Sequence, residues 1–328
     1  VVAAVHAAAA VAAAAGVRRG STMNSKTRMQ FVALLAYCLI GTSGALAATT
    51  QQTFATPEDA ASALAAAVKG DDIKALRSVL GNAGGTLSSG DPVADRAAAK
   101  GFVADYDAKH VIVREGDAAK LVIGTDDFPF AFPLVKAGDR WRFDTAAGVD
   151  ELNARRIGRN ELTTIKVLQA AVDAQRDYAS QDRDGDGVPA YARKIVSSPG
   201  KRDGLYWPTK PGESQSPMGD LVAKASSEGY RTDSKSGPAP FHGYFFRMLR
   251  GQGASAGSPA FDYVVHGRAI GGFAMIAYPA KYGSSGIMTF IVNQDGKVFQ
   301  SDLGPETHAK ASEIRRFDPG KRWSPVAP

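Results

Sequence analysis

The stretch N-E-L-T-T-I-K-V-L-Q-A-A-V-D-A-Q-R-D-Y-A, from Asn160 to Ala179, decides how the chain divides. Asn160 can cap a helix beginning at Glu161. Leu162, Ile165, Leu168, Ala171, Val172 and Gln175 then follow at three- and four-residue steps, the spacing of one helical face. Strand-like sequence lies before this run and strand-like sequence follows it. The run restarts a helix-then-sheet order, which marks a second module.

Upstream, the first module is expected over residues 48–150. Thr56-Pro57-Glu58-Asp59 is a helix start, with a Thr cap, Pro at the first helical position and an acid at the third. Ala60, Ala61, Leu64, Ala67 and Val68 recur at helical spacing until Gly70. A second short helix opens near Asp71, carries Ile73, Leu76, Val79 and Leu80, and ends at Gly81. A third spans about Val93 to Ala108. Short β-rich runs follow at Val111–Val113, Lys120–Ile123, Phe130–Val135 and Trp141–Asp144, with Gly116-Asp117 and Gly138-Asp139 as turns. Helices followed by a meander predict an α+β fold with helices on one face of an antiparallel sheet.

Downstream, residues 153–320 are expected to form the second module, a long helix packed on an antiparallel sheet. Strands are expected at Gly243–Leu249, Tyr263–His266, Phe273–Tyr278, Met288–Val292 and Lys297–Gln300, with a hairpin at Asn293-Gln294-Asp295-Gly296. Residues 200–240, rich in Ser, Gly, Pro and Lys, predict a long loop or flap holding one short helix near Leu221–Ser227.

A chain of 328 residues with 44% hydrophobic and 22% charged residues can build a sizeable core. Its net charge of +6 is concentrated at the start. Arg18, Arg19, Lys26 and Arg28 are the only charges before residue 48, and without them 35 basic residues face 33 acidic ones. That balance gives no footprint for nucleic acid. From Met23, a basic Lys26/Arg28 region, an apolar run from Met29 to Ile40 and the small-x-small Ala45-Leu46-Ala47 read as a signal peptide over 23–47, cleaved after Ala47. The apolar run is too short to span a membrane. Val1 to Thr22 is expected to be an upstream extension. The single cysteine, Cys38, falls inside the leader and follows Tyr37 rather than a small residue, which argues against lipidation. Removal of the leader leaves no thiol for disulfides, thiolate metal sites or cysteine catalysis. The expected location is the periplasm or the secreted fraction.

The segment S-Q-D-R-D-G-D-G-V-P, Ser180 to Pro189, opens like a calcium loop. Asp182, Asp184 and Asp186 stand at positions 1, 3 and 5, Gly187 at 6, and Val188 can offer its carbonyl at 7. Position 12 is Arg193, which cannot ligate a cation, so a full EF-hand fails. Half of a structural calcium site remains, provided another acid closes it, with Asp203 and Asp220 the candidates. Without an ion, the alternative is an Asp-Gly turn neutralised by Arg183, Arg193 and Lys194. Asp105, Asp107 and His110 can be drawn as an acid–base set, against the plainer reading of a solvated helix end. His242 with Tyr244 and Arg247 can line a groove or simply form a strand edge. His242, His266 and His308 have no metal spacing, and Ser284-Ser285-Gly286 lacks a nucleophile-elbow context.

Several segments carry a family resemblance. Phe241-His242-Gly243-Tyr244-Phe245-Phe246-Arg247, Phe261-Asp262-Tyr263-Val264-Val265, Gly271-Gly272-Phe273-Ala274-Met275-Ile276-Ala277-Tyr278-Pro279 and Phe290-Ile291-Val292-Asn293-Gln294-Asp295-Gly296 resemble a bacterial exported family known as domain of unknown function number 2950. The resemblance implies export and carries no catalytic residues with it. The end of the first module, an apolar strand, Lys-Ala-Gly-Asp and then Trp-Arg-Phe-Asp, looks like that of a nuclear-transport-factor-two-like domain, a cone that often holds a pocket. The second module is similar to the globular heads of pilins and pseudopilins, but those place their helix at the extreme N-terminus. The expected function is a non-enzymatic envelope protein that binds or scaffolds an envelope partner or ligand. The alternatives are a small-ligand carrier or hydrolase-like enzyme using a first-module pocket, and a component of a pilus-like assembly.

Overall fold

The computed structural model describes residues 51–81, 87–183, 185–231, 238–257 and 259–327. The signal-peptide reading of 23–47, the extension before it and Cys38 lie outside these residues. The fold is mixed α+β.

The first half begins with three helices set by their caps. In α1 (Pro57–Lys69), Thr56 and Asp59 form a capping box, each side chain accepting from the other's backbone N–H. Asp72 caps α2 (Ile73–Leu80), and Asp91 caps α3 (Pro92–Ala108). The antiparallel sheet then assembles from β1 (His110–Glu115), β2 (Ala118–Ile123), β3 (Phe128–Pro129), β4 (Leu134–Ala137) and β5 (Arg140–Phe143). Its order is β1-β2-β4-β5, with β3 paired to the end of β2. Of the strand expected over Phe130–Val135, only Leu134 and Val135 lie in a strand, β4, while Phe130 to Pro133 lie in none. Pro133 has no N–H to donate to a ladder at that point.

The largest departure from expectation is α4, one uninterrupted helix from Thr145 to Ala179, 35 residues long. Its cap is Asp144, not Asn160, and it runs straight through the junction expected near 150–153. Asn160 lies inside the helix and is buried, with its side-chain amide donating to Ser285 O at 2.9 Å. Leu162 points to solvent at 64% exposure, while Thr164, Val167, Leu168, Ala171, Gln175 and Tyr178 form the buried face. The polar residues Asn160 and Thr164 thus occupy core positions that a purely apolar reading assigns elsewhere.

The second half follows with β6 (Lys194–Val196), β7 (Gly204–Tyr206), α5 (Gly219–Ser227), β8 (Tyr244–Leu249), β9 (Gly251–Gln252), β10 (Phe261–Asp262), β11 (Ala274–Pro279), β12 (Met288–Asn293), β13 (Phe299–Asp302), α6 (Thr307–Glu313), β14 (Arg316–Phe317) and β15 (Ser324–Pro325). The main sheet runs β15-β13-β12-β11-β8, antiparallel throughout. One face packs on α4 through Phe290, Val292, Met275 and Ala277, against Leu168, Ala171 and Val172. The other packs Ile276 and Ile291 on Ala311 of α6 and Phe317 of β14. With both faces covered, every residue of β11 is buried.

Residues 200–231 and 238–240 hold the one short helix expected there, α5, and are anchored, with Leu205, Trp207, Met218 and Val222 buried against α4's Leu168 and Tyr178. One further expectation changes. The expected strand at Tyr263–His266 is a tight turn, with His266 and Gly267 at φ 49° and 81° and Val265 bridging to Arg268.

Candidate binding cleft and the polar seam beside it

The helices of the first half leave an open cleft of about 430 Å³ over their sheet. Leu64, Ala67 and Val68 of α1 form one wall, Ile73 and Leu76 of α2 a second, and Ala98, Ala99 and Phe102 of α3 a third. Phe130 and Phe132 make the floor, and Leu152 of α4 closes one end. The two phenyl rings stack with centroids 5.4 Å apart, and Phe130 packs on Phe102 at 5.0 Å. The helical spacing that predicted cores for α1, α2 and α3 thus supplies a lining that is only partly filled. Ile73, 55% exposed, stands at the rim.

One end of the cleft is polar. The Arg156 guanidinium donates to Leu87 O at 2.8 Å and to Ser284 Oγ at 3.0 Å, tying α4 to the segment before α3 and to a loop of the second half. Burial lowers its pKa; the charge of Asp95 opposes that shift and Arg159 adds to it. Asp95 accepts from the Ser88 and Ser89 hydroxyls at 2.9 and 2.7 Å.

The seam continues at Asp91, which is completely buried. Its Oδ1 accepts from Val93 N and Ala94 N, and its Oδ2 accepts from Tyr230 Oη and Gly243 N, the latter pair both at 2.9 Å. One carboxylate therefore caps α3 and fastens it to the second half. Burial raises the Tyr230 pKa, and the Asp91 charge and hydrogen bond raise it further. Glu161 completes the join by accepting from Ile287 N and Met288 N, both at 2.9 Å. Burial, then the Glu161 charge, also push the Tyr244 hydroxyl well above its ordinary range.

The match to the family model settles kinship. The chain belongs to the DUF2950 family, described as proteins of unknown function. The family model covers residues 51–326, both halves and α4 together. No curated protein and no solved structure matches the chain.

In this DUF2950 chain the other candidate residues go to separate partners. Asp107 pairs with Lys69, His110 stacks on Tyr106 with its Nδ1 2.8 Å from the Tyr106 carbonyl, and the Asp105 side chain lies against Gly124. His242 pairs with Glu228 at 3.1 Å, Tyr244 donates to Met288 O, and Arg247 donates to Ala311 O and Ile314 O. Neither set converges on a common point.

In the aspartate loop, Asp184 lies outside the described residues. Asp182 accepts backbone N–H groups from Gly185, Asp186 and Gly187 at 2.8, 3.2 and 2.8 Å. Asp186 is paired with Arg268, Nε to Oδ2 at 2.6 Å, and Val188 N donates to its other oxygen. Asp203 is committed elsewhere, to Lys194 and Ser198. Its burial favours the neutral acid, but the Lys194 and Ser198 hydrogen bonds prevail and hold its pKa down to about 2. Among the described residues no three His, Cys, Asp or Glu side chains come together as metal ligands would. No helix among them is long and apolar enough to cross a membrane.

Sequence reading missed Asp91 and Arg156. Asp91-Pro92 carries the signature of a helix start. Its second role needs Tyr230 and Gly243, more than a hundred residues away in the chain, which no local signal contains. Arg156 sits in Arg155-Arg156, a pair that reads as solvated surface.

Proposed function

We propose that this protein is an exported, non-enzymatic binding protein whose first-half cleft receives an apolar ligand or an apolar segment of an envelope partner. The observation that carries this reading is the cleft itself, aromatic-floored, walled by small and aliphatic side chains, and closed at one end by a tethered arginine. Its volume falls within the range of small-molecule pockets. The separation of the Asp105, Asp107 and His110 groups supports a binding role over a hydrolytic one. Three helices on one face of an antiparallel sheet around a hollow also support the cone-like reading of this half. Export rests on the leader at 23–47, and a periplasmic or secreted location goes with it.

Titration with an apolar fluorophore such as anilinonaphthalene sulfonate tests the cleft. Saturable enhancement in the native protein is expected, weakened about tenfold or more by Ala99→Trp, which fills the hollow from an exposed helix face. Enhancement that never saturates, or that ignores the filled cleft, sinks the proposal.

A structural calcium ion at Asp182, Asp184, Asp186 and the Val188 carbonyl belongs to this proposal as a staple rather than a reactive centre. Three acids within five residues support it, and an ion would compete with Arg268 for Asp186. Calorimetric titration should show heat and a raised melting temperature at about 1 mM calcium. The absence of both signals at that concentration would remove the ion from the proposal.

A further inference from the structure

A second hollow, of about 390 Å³, lies on the far side of the molecule's second sheet from α4. Its floor is apolar, made by Ile291 of β12 with Ile314 and Trp323. Its walls are Arg315, Arg316 and Arg322, with Asp318 as the one acid. Beyond the leader the chain is almost charge-balanced, so three guanidinium groups around one apolar floor are a local concentration rather than a general property of the surface.

The groups differ in how firmly they are held. Arg316 donates to Asp262 Oδ1 at 2.7 Å, to Phe261 O at 2.9 Å and to Gln252 O at 3.1 Å. Gly251 makes room for it, since a Cβ there would stand 2.9 Å from an Arg316 nitrogen. Asp318 is also occupied, accepting from Ser255 N at 2.8 Å. Arg315 and Arg322 are exposed and have no ion pair among the described residues. Behind the wall, Arg247 donates to the carbonyls of Ala311 and Ile314. Burial lowers the Arg247 pKa, the charge of Arg315 lowers it further, and Tyr278 opposes the shift.

We infer that this hollow binds a small polyanion, a compact molecule with two or more carboxylate or phosphate groups. Arg315 and Arg322 engage its charges as planar forks, the geometry that suits both anion types. Arg316, already fixed, sets the shape of the wall. Ile291, Ile314 and Trp323 exclude water beneath, which strengthens each charge contact. The inference is independent of the first-half cleft, because it uses other residues on another sheet.

Calorimetric titration of the full chain with citrate and with pyrophosphate tests it and separates the two anion sources. One saturable site for at least one anion is expected. Arg315→Ala/Arg322→Ala should weaken it about tenfold or more, while Arg315→Lys/Arg322→Lys should retain part of the affinity. Arg96→Ala, which lines the other cleft, should leave it unchanged. Both arginines are exposed, so an unaltered near-ultraviolet circular dichroism spectrum will confirm that the variants fold. No saturable heat from either anion up to about 10 mM overturns the inference. Binding that survives the double alanine change, or that falls equally in the Arg96 variant, overturns it as well.

Discussion

Asp91 shows how much one side chain decides here. It accepts four hydrogen bonds while fully buried, two that cap α3 and two from the second half. A carboxylate taken out of water is costly unless its lone pairs are satisfied, and here they are. Asp91→Ala removes the cap and leaves Gly243 N–H and Tyr230 O–H without their acceptor. We expect a loss of about 3 kcal/mol or more in urea unfolding. Tyr230→Phe removes the donor to Asp91 and the acceptor of the His242 N–H, but keeps the α3 cap and the Gly243 bond, and should cost less, roughly 1–2 kcal/mol. In the double variant the losses should fall short of their sum, because the Tyr230 bond is counted in both. Strict additivity would show that Asp91 and Tyr230 act separately.

Among the elements, α4 carries the lesson about legibility. The caps at Thr56 and the Asp71–Asp72 turn, with the stops at Gly70 and Gly81, were readable because capping is local chemistry. The strands of the main sheet were readable for a similar reason, as apolar runs bounded by turns. The start of α4 was not. Thr145 to Arg159 carries Gly148, Gly158 and many polar residues, and Asn160 offers a stronger cap signal than Asp144. Tertiary contacts override that signal: Gly148 lies directly against the Phe132 ring, and Arg156 and Asn160 bond to the second half. The cleft was legible only as helices on a sheet, since whether a lining is filled depends on spacing between elements. The two glycines give opposite forecasts. Gly148→Ala would drive a methyl into Phe132 and should destabilise by about 1–3 kcal/mol. Gly158 is exposed with nothing near its Cβ position, so Gly158→Ala should stabilise by roughly 0.5–1 kcal/mol. Thermal unfolding of the pair checks both, and equal effects would mean that α4 is not packed as described.

At the scale of the whole molecule, two separate cores share one helix. Phe132, Leu134 and Phe143 centre the first core, and Phe290, Val292 and Leu168 the second. Among the described residues they are joined by the backbone of α4 and by a polar seam in which Asp91 holds Tyr230 and Gly243, Arg156 holds Ser284 and Lys281 holds the Ser88 carbonyl. A continuous helix transmits order because each turn is templated by the one before it. Breaking it between the cores should therefore show which link matters more. Gly158→Pro removes an internal helix hydrogen bond and sets the ring against the carbonyl four residues earlier, at a cost of about 3 kcal/mol. The native chain is expected to melt in one transition. In Gly158→Pro we expect two, because the seam alone joins the halves through a handful of polar contacts. Calorimetry at fixed protein concentration distinguishes the outcomes. A single transition at lower temperature would show that the seam, anchored on Asp91, suffices to make the halves fold as one.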